Sequence, residues 1–284
     1  IKATGKHRLY TLDGWQQLQD LQAGSRLAVA NRMPLMEQPI ESWPELRVIL
    51  LAHLIGDGSY ISHQPLRYTT ASEENSAIVT QAAESFGCTV NRHVGKGNWH
   101  QLVISGNGNR WHPAGVGLWL KELGIFNQRS ADKQVPSEVF QLPDHQVALF
   151  LQHLWATDGC ISGHQHPDGK KYKASIFFST VSETLARDVV ALLARLGIAS
   201  TMRWAKSQCY TVQIYGKTQQ LKFLEVVGAF GPRVAVAQAV KAELLRRGKA
   251  NPNRDTIPTE VFGLVKTEMK SQGISQRRMA ALRG

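Results

Sequence analysis

Cysteine is scarce in this sequence. Only Cys88, Cys160 and Cys209 occur, an odd number with no Cys-x-x-Cys spacing. This argues against a disulfide framework and against a zinc site, and it fits a reducing compartment. The sequence also lacks an uninterrupted apolar run of about 18 residues and the apolar run of a signal peptide. We therefore expect no membrane partner and a cytoplasmic location.

Acidic residues are also few compared with basic ones. Asp and Glu number 22 against 33 Lys and Arg, a formal net charge of +11 (33 − 22), while 43% of the 284 residues are hydrophobic. A chain of this size and content can bury a core and hold one large domain or two smaller ones. The charge favours a polyanionic partner, nucleic acid before an anionic membrane.

Two apolar runs that end in Asp-Gly dominate what the sequence does contain. They are Leu50–Gly58 and Leu151–Gly159, and a proline suited to the first turn of a helix precedes each, at Pro44 and Pro143. Both runs are longer than a buried strand needs. We therefore predict two buried helices.

The last residues of these helices are Asp57 and Asp158. A carboxylate there faces the negative end of the helix macrodipole, which costs up to about 1 kcal/mol unless a cation or a donor compensates. Gly58 and Gly159 predict a left-handed residue that closes each helix. Each carboxylate would then lie at the rim of the fold.

Small residues predict where the two helices cross. Ala52 and Gly56, one turn apart, would let a second helix pack closely, while the corresponding residues His153 and Thr157 are bulkier and predict a looser crossing. If the helices cross there, the two carboxylates meet. Two neighbouring carboxylates repel unless hard cations lie between them, and oxygen ligands with retained water suit Mg²⁺.

Residues beyond the two runs recur at a constant offset. Pairs that lie 110 positions apart are Thr70 and Thr180, Ser72 and Ser182, Glu73 and Glu183, Gly87 and Gly197, and Gly106 and Gly216. The two Asp residues lie 101 apart (158 − 57), so the second half has nine extra residues (110 − 101), which the polar loop 162–171 accommodates. The repeat predicts a duplicated unit in which helices back a sheet whose other face is free.

The free sheet faces are candidates for DNA contact. Polar and basic candidates are Arg67, Thr69, Arg92, Lys96 and His100 in the first half, and Lys173, Ser175, Arg203, Lys206 and Gln213 in the second. Two sheets related by a pseudo-twofold axis form a saddle that suits a duplex, with strands in the major groove. The strand pattern alone fits an ordinary solvated sheet face equally well.

The first residues resemble a known protein-splicing block. Short alternating runs at 8–12 and 26–30 predict two strands, and Thr4-Gly5-Lys6-His7 is similar to the Thr-x-x-His block of inteins. The resemblance implies that Thr4 and His7 polarise the amide at an upstream splice junction. Because the sequence begins at Ile1 and ends at Gly284, without the reacting residues of that family, we expect splicing to be dormant. A surface turn is the alternative.

The two Asp-Gly runs, in matched repeats, resemble the LAGLIDADG homing endonucleases. His53-Leu54-Ile55-Gly56-Asp57-Gly58 and 153–160 are similar to the two-motif, single-chain form found in inteins of replicative helicases. The resemblance covers about 43–250. It implies an α+β fold with a pseudo-twofold duplicated αββαββα unit, divided into a partial splicing (Hint-like) segment 1–40, endonuclease halves 41–142 and 143–250, and a helical tail 251–284.

The resemblance also implies a metal site and a basic residue. Asp57 and Asp158 would bind Mg²⁺ or Mn²⁺, helped by the carbonyls of Gly56 and Thr157. Family enzymes place a lysine near each scissile phosphate, and 132–136 resembles the intein block that carries it, so Lys133 is the catalytic candidate. A solvated lysine is the alternative. The echo of this block at 254–262 has Asp255 at the lysine position, which leaves Arg233 and Arg254 as second-half candidates.

Taken together, the resemblance implies a monomeric, site-specific DNA homing endonuclease with a long pseudo-palindromic target. It would hydrolyse both strands across the minor groove and leave 3′ overhangs. A protein-splicing element whose endonuclease domain is inactive or only binds DNA is the alternative.

The tail holds two short helical patterns, of which 276–282 resembles the second helix of a helix-turn-helix. It is a basic solvated helix or an auxiliary DNA contact.

Overall fold

The computed structural model describes residues 3–28, 42–109, 111–165, 167, 172–205, 207–248 and 259–282. Its helices are α1 (Glu45–Asp57), α2 (Glu73–Glu84), α3 (Gly115–Glu122), α4 (Asp144–Asp158), α5 (Glu183–Arg195), α6 (Lys217–Val226), α7 (Val234–Arg246), α8 (Thr259–Ser271) and α9 (Gln276–Leu282). Its strands are β1 (Arg8–Thr11), β2 (Gly14–Gln17), β3 (Gly58–Ser59), β4 (Leu66–Thr70), β5 (Thr89–Val94), β6 (His100–Ser105), β7 (Gly159–Gln165), β8 (Tyr172–Thr180), β9 (Thr201–Trp204) and β10 (Tyr210–Ile214). Within these ranges, every helix is too short or too polar to cross a bilayer.

The N-terminal segment is a short hairpin in which β1 pairs with β2 and Tyr10 lies opposite Trp15. The first predicted strand is confirmed. Its partner is β2, immediately after the turn, and not the predicted strand at 26–30. An Asp-Gly turn favours pairing between the two strands that flank it. The prediction of a strand at 26–30 was wrong in its described part, because Leu27 forms only an isolated bridge with Thr11. Residues 29 and 30 lie outside the described ranges.

The first half places a buried helix against an antiparallel sheet of order β3-β4-β6-β5. Helix α1 begins directly after Pro44, and its residues from Val48 to Ile55 are all buried. Helix α2 also packs on the sheet, and its N-terminus is capped by Ser72, whose hydroxyl accepts the Asn75 N–H at 3.1 Å. The predicted cap is therefore confirmed.

The second half repeats this plan with the order β7-β8-β10-β9. Gly58 pairs with Tyr68, ten residues on (68 − 58), whereas Gly159 pairs with Phe178, nineteen residues on (178 − 159). The nine extra residues therefore lie in the β7–β8 hairpin, as the offset predicted. Each half reads helix, two strands, helix, two strands, helix, so the α+β, pseudo-twofold αββαββα fold is confirmed.

One continuous core joins the two halves, because α1 and α4 pack against each other at its centre. Trp155 of α4 is fully buried between Phe178 of β8 and Phe223 of α6. The tail beyond Arg247 forms a second compact unit. It contains α8 and α9, so the two predicted helical patterns are confirmed, and Gly273 (φ 64°) ends the first of them.

Candidate active site at the ends of two buried helices

Helices α1 and α4 cross where Gly56 faces Thr157. A methyl group added at Gly56 would lie only 2.0 Å from Thr157 Oγ1, so the two backbones approach closely there. Thr157 satisfies its own hydroxyl by donating to the Leu154 carbonyl at 2.6 Å. The expectation of a looser crossing was wrong, because the glycine leaves room for one larger partner opposite it.

Gly58 and Gly159 close the two helices in a different way from the one predicted. Their backbones are extended (φ −82°, ψ 151° and φ −83°, ψ 155°), not left-handed. Each helix runs directly into the first strand of its sheet. A Cβ would lie 2.4 Å from the Leu54 carbonyl oxygen at Gly58 and 2.3 Å from Trp155 Cδ1 at Gly159. These glycines therefore provide space and not a left-handed turn.

A buried histidine pair links α1 and α4 about one helical turn before the acidic residues. His53 Nε2 lies 3.0 Å from His153 Nδ1, and His53 Nδ1 lies 2.9 Å from the Tyr68 hydroxyl. The Phe230 ring packs 4.3 Å from that of His153. Burial, and then the charge of His153, lowers the pKa of His53 to about 3, and burial lowers the pKa of His153 to about 4. Both rings are therefore neutral at pH 7.

The two acidic helix ends converge as predicted. Asp57 and Asp158 line one cleft of about 340 Å³ together with Lys133, which we call the Lys133 cleft. Burial, and then the charge of Asp158, raises the pKa of Asp57 to about 6. Burial also raises the pKa of Asp158, while Lys133 and Arg233 oppose the shift. The carboxylates are therefore close enough to interact through their charges.

Lys133 is buried, with 7% of its surface exposed, so the interpretation of a solvated lysine was wrong. Its ammonium group donates to the carbonyls of Gly56 at 2.7 Å and Gly58 at 2.9 Å, and lies 5.5 Å from the centre of the Tyr60 ring. Burial lowers its pKa to about 8, against the effect of Asp158 and Asp57. Lys133 therefore compensates the negative end of α1 at the point where the acidic pair lies.

Arg233 does the same for α4. Its guanidinium donates to the carbonyls of Ala156 at 2.6 Å, Thr157 at 2.8 Å and Gly159 at 3.0 Å. It lies 100 residues after Lys133 (233 − 133), close to the motif offset of 101. Arg233 also lines a second cleft of about 420 Å³ with Asp57, which we call the Arg233 cleft. Of the two second-half candidates, Arg233 is at the site, and Arg254 lies outside the described residues.

The oxygen atoms at these helix ends suit a hard divalent cation. No residue in the described ranges donates a hydrogen bond to the carboxylate of Asp57 or Asp158, although the two repel each other. The carbonyls of Gly56 and Thr157 each accept one cationic donor, which leaves each oxygen a second lone pair. Among the same residues, no group of three or more His, Cys, Asp and Glu side chains is arranged to hold a metal ion by itself. The donor set fits Mg²⁺ or Mn²⁺ that keeps part of its water.

The first sheet presents only some of its predicted DNA-contacting residues on its free face. Arg67 and Thr69 alternate with buried residues of β4, and Lys96 is exposed in the β5–β6 hairpin. Arg92 and His100 were wrong as free-face residues. Arg92 pairs with Glu73 at 2.6 Å and with His100, which is only 3% exposed.

The register of β5 and β6 explains this error. Arg92 lies opposite Leu102, whose side chain points into the core, so the free-face residues are one position away. His93 and Gln101 lie opposite each other there, and Gln101 donates to the Thr69 hydroxyl at 3.2 Å. Strict alternation counted from Leu102 and Ile104 would have identified Gln101, whereas His93 follows only from the register of β5 against β6.

The second sheet places its described candidates together. Lys173, Ser175 and Gln213 alternate with buried or half-buried residues, and Arg203 lies opposite Thr211 on the same face as these three. Lys206 lies outside the described residues.

At the N-terminus, Thr4 and His7 form an exposed turn in which the His7 N–H donates to the Thr4 carbonyl at 2.9 Å. Their role in splicing stays a prediction.

Comparison with known proteins agrees with this architecture. Residues 145–228 match the LAGLIDADG-like domain. Replicative DNA helicase DnaB of Rhodothermus marinus is 37% identical over 99% of this chain and 30% of its own length. Protein RecA of Mycobacterium tuberculosis (strain ATCC 25618 / H37Rv) is 25% identical over 100% of this chain and 37% of its own length. The chain thus spans about a third of the length of these curated relatives.

Among solved structures, the crystal structure of I-DmoI in complex with DNA and Mn is 14% identical, with a TM-score of 0.44 over 66% of this chain and 97% of that chain. The matched segment 145–228 contains Asp158, Thr157 and the sheet around them. The first half repeats the same order of elements around Asp57. The second half of the chain therefore contains a LAGLIDADG-like domain.

Proposed function

We propose that this chain is a site-specific endonuclease that hydrolyses both strands of duplex DNA. One observation carries the proposal: the two acidic helix ends, from duplicated halves, converge on one cleft beside a buried lysine. Burial, and then the neighbouring Asp158, raises the pKa of Asp57 to about 6, an arrangement that DNA binding alone does not require. Perturbed carboxylates in a cleft are typical of a catalytic site.

In this proposal Asp57 and Asp158 are metal ligands, with the carbonyls of Gly56 and Thr157 as additional oxygens. A divalent cation bound there would make a water molecule more acidic and stabilise the leaving 3′ oxygen of a phosphodiester. Lys133 and Arg233 fix the helix-end carbonyls and offset their negative charge. Lys133, with a pKa of about 8, also holds a proton close to the cleft.

The two free sheet faces supply the DNA-contacting surface in the proposal. Arg67, Thr69, His93 and Gln101 on the first sheet, and Lys173, Ser175, Arg203 and Gln213 on the second, offer groups that bind base edges and phosphates. The net charge of +11 supports a polyanionic partner. Cutting across the minor groove, 3′ overhangs, a long pseudo-palindromic site and a monomeric enzyme remain parts of the proposal.

We also propose that the endonuclease lies within an intein. Relatives with different names, DnaB and RecA, share nearly the whole of this chain but only about a third of their own length. A segment common to differently named proteins fits an inserted element better than a part of either one's own activity. The exposed turn at Thr4 and His7 fits the splicing block at the start of such an element. A cytoplasmic location follows from this proposal.

Cleavage of a plasmid that carries a replicative helicase gene without the insertion tests the proposal. With Mg²⁺ we expect one double-strand cut at the insertion point. Asp57→Asn and Asp158→Asn should each abolish cutting and keep DNA binding in a gel-shift assay, and Asp132→Asn, an exposed neighbour, is the matched control. Binding without cutting by the unmodified protein would support the alternative, an intein whose endonuclease domain only binds DNA.

A further inference from the structure

Lys133 is held from two sides by different halves of the molecule. Its ammonium group donates to the end of α1 in the first half, at Gly56 and Gly58. Its backbone carbonyl accepts a 2.6 Å hydrogen bond from the hydroxyl of Ser182, which is fully buried at the start of α5 in the second half. Lys133 therefore spans the junction between the two halves.

The Ser182 hydroxyl is used twice. It accepts the Leu185 N–H at 3.1 Å as the N-cap of α5, and it donates its own proton to Lys133. A second tether lies two residues further on, where the Val135 N–H donates to Asp188 of α5 at 2.9 Å. Helix α5 thus fixes the backbone from 133 to 135 at two points.

Among the described residues, the first half shows no such tether at the corresponding position. Ser72 caps α2 with the same geometry, since it accepts the Asn75 N–H at 3.1 Å. Its hydroxyl proton, however, goes to Glu74 at 2.8 Å on the surface. Two serines at equivalent places, 110 residues apart (182 − 72), therefore share the capping role and differ in one hydrogen bond.

We infer that Ser182 is a positioning residue that holds Lys133 at the end of α1. The N–H of Ser182 donates to the hydroxyl of Thr180, the last residue of β8, at 3.1 Å. A continuous chain of contacts therefore runs from the proposed DNA-contacting strand through Ser182 and Lys133 to Gly56. This inference rests on the proposed function for its catalytic consequence, but the placement of Lys133 is measurable without it.

Ser182→Asp separates the two uses of the hydroxyl. Aspartate still caps α5, because its carboxylate accepts the Leu185 N–H, but it has no proton for the Lys133 carbonyl. Ser72→Asp is the matched control, since it keeps the equivalent cap and loses only the surface contact with Glu74. Ser182→Thr keeps both hydrogen bonds, so its Lys133 should be as well protected as that of the unmodified protein. Thermal unfolding of each variant shows which are folded.

Acetylation of lysines, followed by mass spectrometry, reports on Lys133 in the metal-free and DNA-free protein. We expect Ser182→Asp to speed acetylation of Lys133 about five- to tenfold, the effect of losing one buried hydrogen bond. Exposed Lys121 should react equally in all variants. If Ser182→Asp does not fold, Asp188→Ala, at a partly exposed position, removes the second tether and should give the same change. Unchanged protection of Lys133 in the folded variant would overturn the inference.

Plasmid cleavage adds a strand-specific measurement. Lys133 lines the Lys133 cleft but not the Arg233 cleft. Ser182→Asp should therefore slow the cut of one strand about 10- to 100-fold and make nicked circles accumulate. Equal slowing of both cuts would contradict the assigned position. If the unmodified protein cuts no DNA while acetylation of Lys133 still rises, the proposed function fails and the placement of Lys133 by Ser182 stands.

Discussion

At the scale of single residues, Asp57 is an acid whose negative charge Lys133 and Arg233 offset only in part. Burial and the neighbouring Asp158 raise its pKa from 3.8 to about 6. In the absence of metal, its ionised form therefore opposes folding. A group with this property is unfavourable for stability and is typical of a functional site.

This shift predicts how stability depends on pH. Because the folded carboxyl holds its proton more tightly than the unfolded one, it stabilises the fold below about pH 4, and this contribution is lost as pH rises towards 6. In EDTA, Asp57→Asn should therefore exceed the unmodified protein in free energy of unfolding by roughly 1–3 kcal/mol at pH 8 and match it near pH 4. Urea titrations at both pH values measure this.

The control for that experiment is Asp132→Asn, which changes an exposed carboxylate next to Lys133 in the sequence. It should leave the difference between pH 8 and pH 4 unaltered. If Asp57→Asn gave the same small change at both pH values, the carboxylate of Asp57 would not be buried beside that of Asp158.

At the scale of elements, the crossing of α1 and α4 depends on size matching between Gly56 and Thr157. A Cβ at Gly56 would lie 2.5 Å from Thr157 Cβ, so Gly56→Ala forces the helices apart. We expect a loss of about 1–3 kcal/mol in the free energy of unfolding. The double variant Gly56→Ala, Thr157→Gly moves the small residue to the other helix and should recover most of it.

The unmodified protein, Gly56→Ala, Thr157→Gly and the double variant together form a double-mutant cycle. A coupling energy of at least about 1 kcal/mol from urea unfolding supports direct contact. Additive effects of the two substitutions would show that the helices do not meet at these residues.

A basic side chain compensates the C-terminal end of each of the two buried helices. Arg233 donates to three carbonyls of α4, and Lys133 shows that a single ammonium group can bind the same kind of helix end. Arg233→Lys should therefore stay close to the unmodified protein, whereas Arg233→Met should cost about 2–3 kcal/mol in the free energy of unfolding. Similar losses in both variants, measured by urea unfolding, would contradict a role based on positive charge.

At the scale of the whole molecule, two halves of one chain place their acidic tips at one point and leave two sheet faces free. Cation binding there would join the halves more firmly than packing alone. Any ligand that binds only the folded state stabilises it by mass action, by about 2.7 kcal/mol at a hundredfold excess over its dissociation constant.

Mg²⁺ should therefore reverse the order of thermal stability between Asp57→Asn and the unmodified protein. In EDTA at pH 8, Asp57→Asn should unfold at a higher temperature than the unmodified protein, and in saturating Mg²⁺ it should unfold at a lower one. Thermal unfolding at a series of Mg²⁺ concentrations measures both limits. Asp132→Asn should follow the unmodified protein throughout, and an equal response of Asp57→Asn to Mg²⁺ would exclude Asp57 as a ligand.

The sequence by itself determined the duplication and its register. The constant offset of 110 located the caps at Ser72 and Ser182 and the nine-residue insertion in the β7–β8 hairpin, because caps and turns depend on a few neighbouring residues. The two Asp-Gly runs likewise predicted two buried helices with acidic ends. Long apolar runs leave few alternatives to burial.

Only the tertiary structure decided which groups meet. Lys133 and Arg233 reach helix ends about 75 residues earlier in the chain, and no local pattern specifies such a contact. Gly58 and Gly159 were expected to be left-handed. Glycine is instead required there because Leu54 and Trp155 lie too close to leave room for a side chain. The choice between Arg92 and His93 depended on the register of β5 against β6. Long-range packing fixes these features, because a side chain's burial, charge and partners come from whatever the fold places around it.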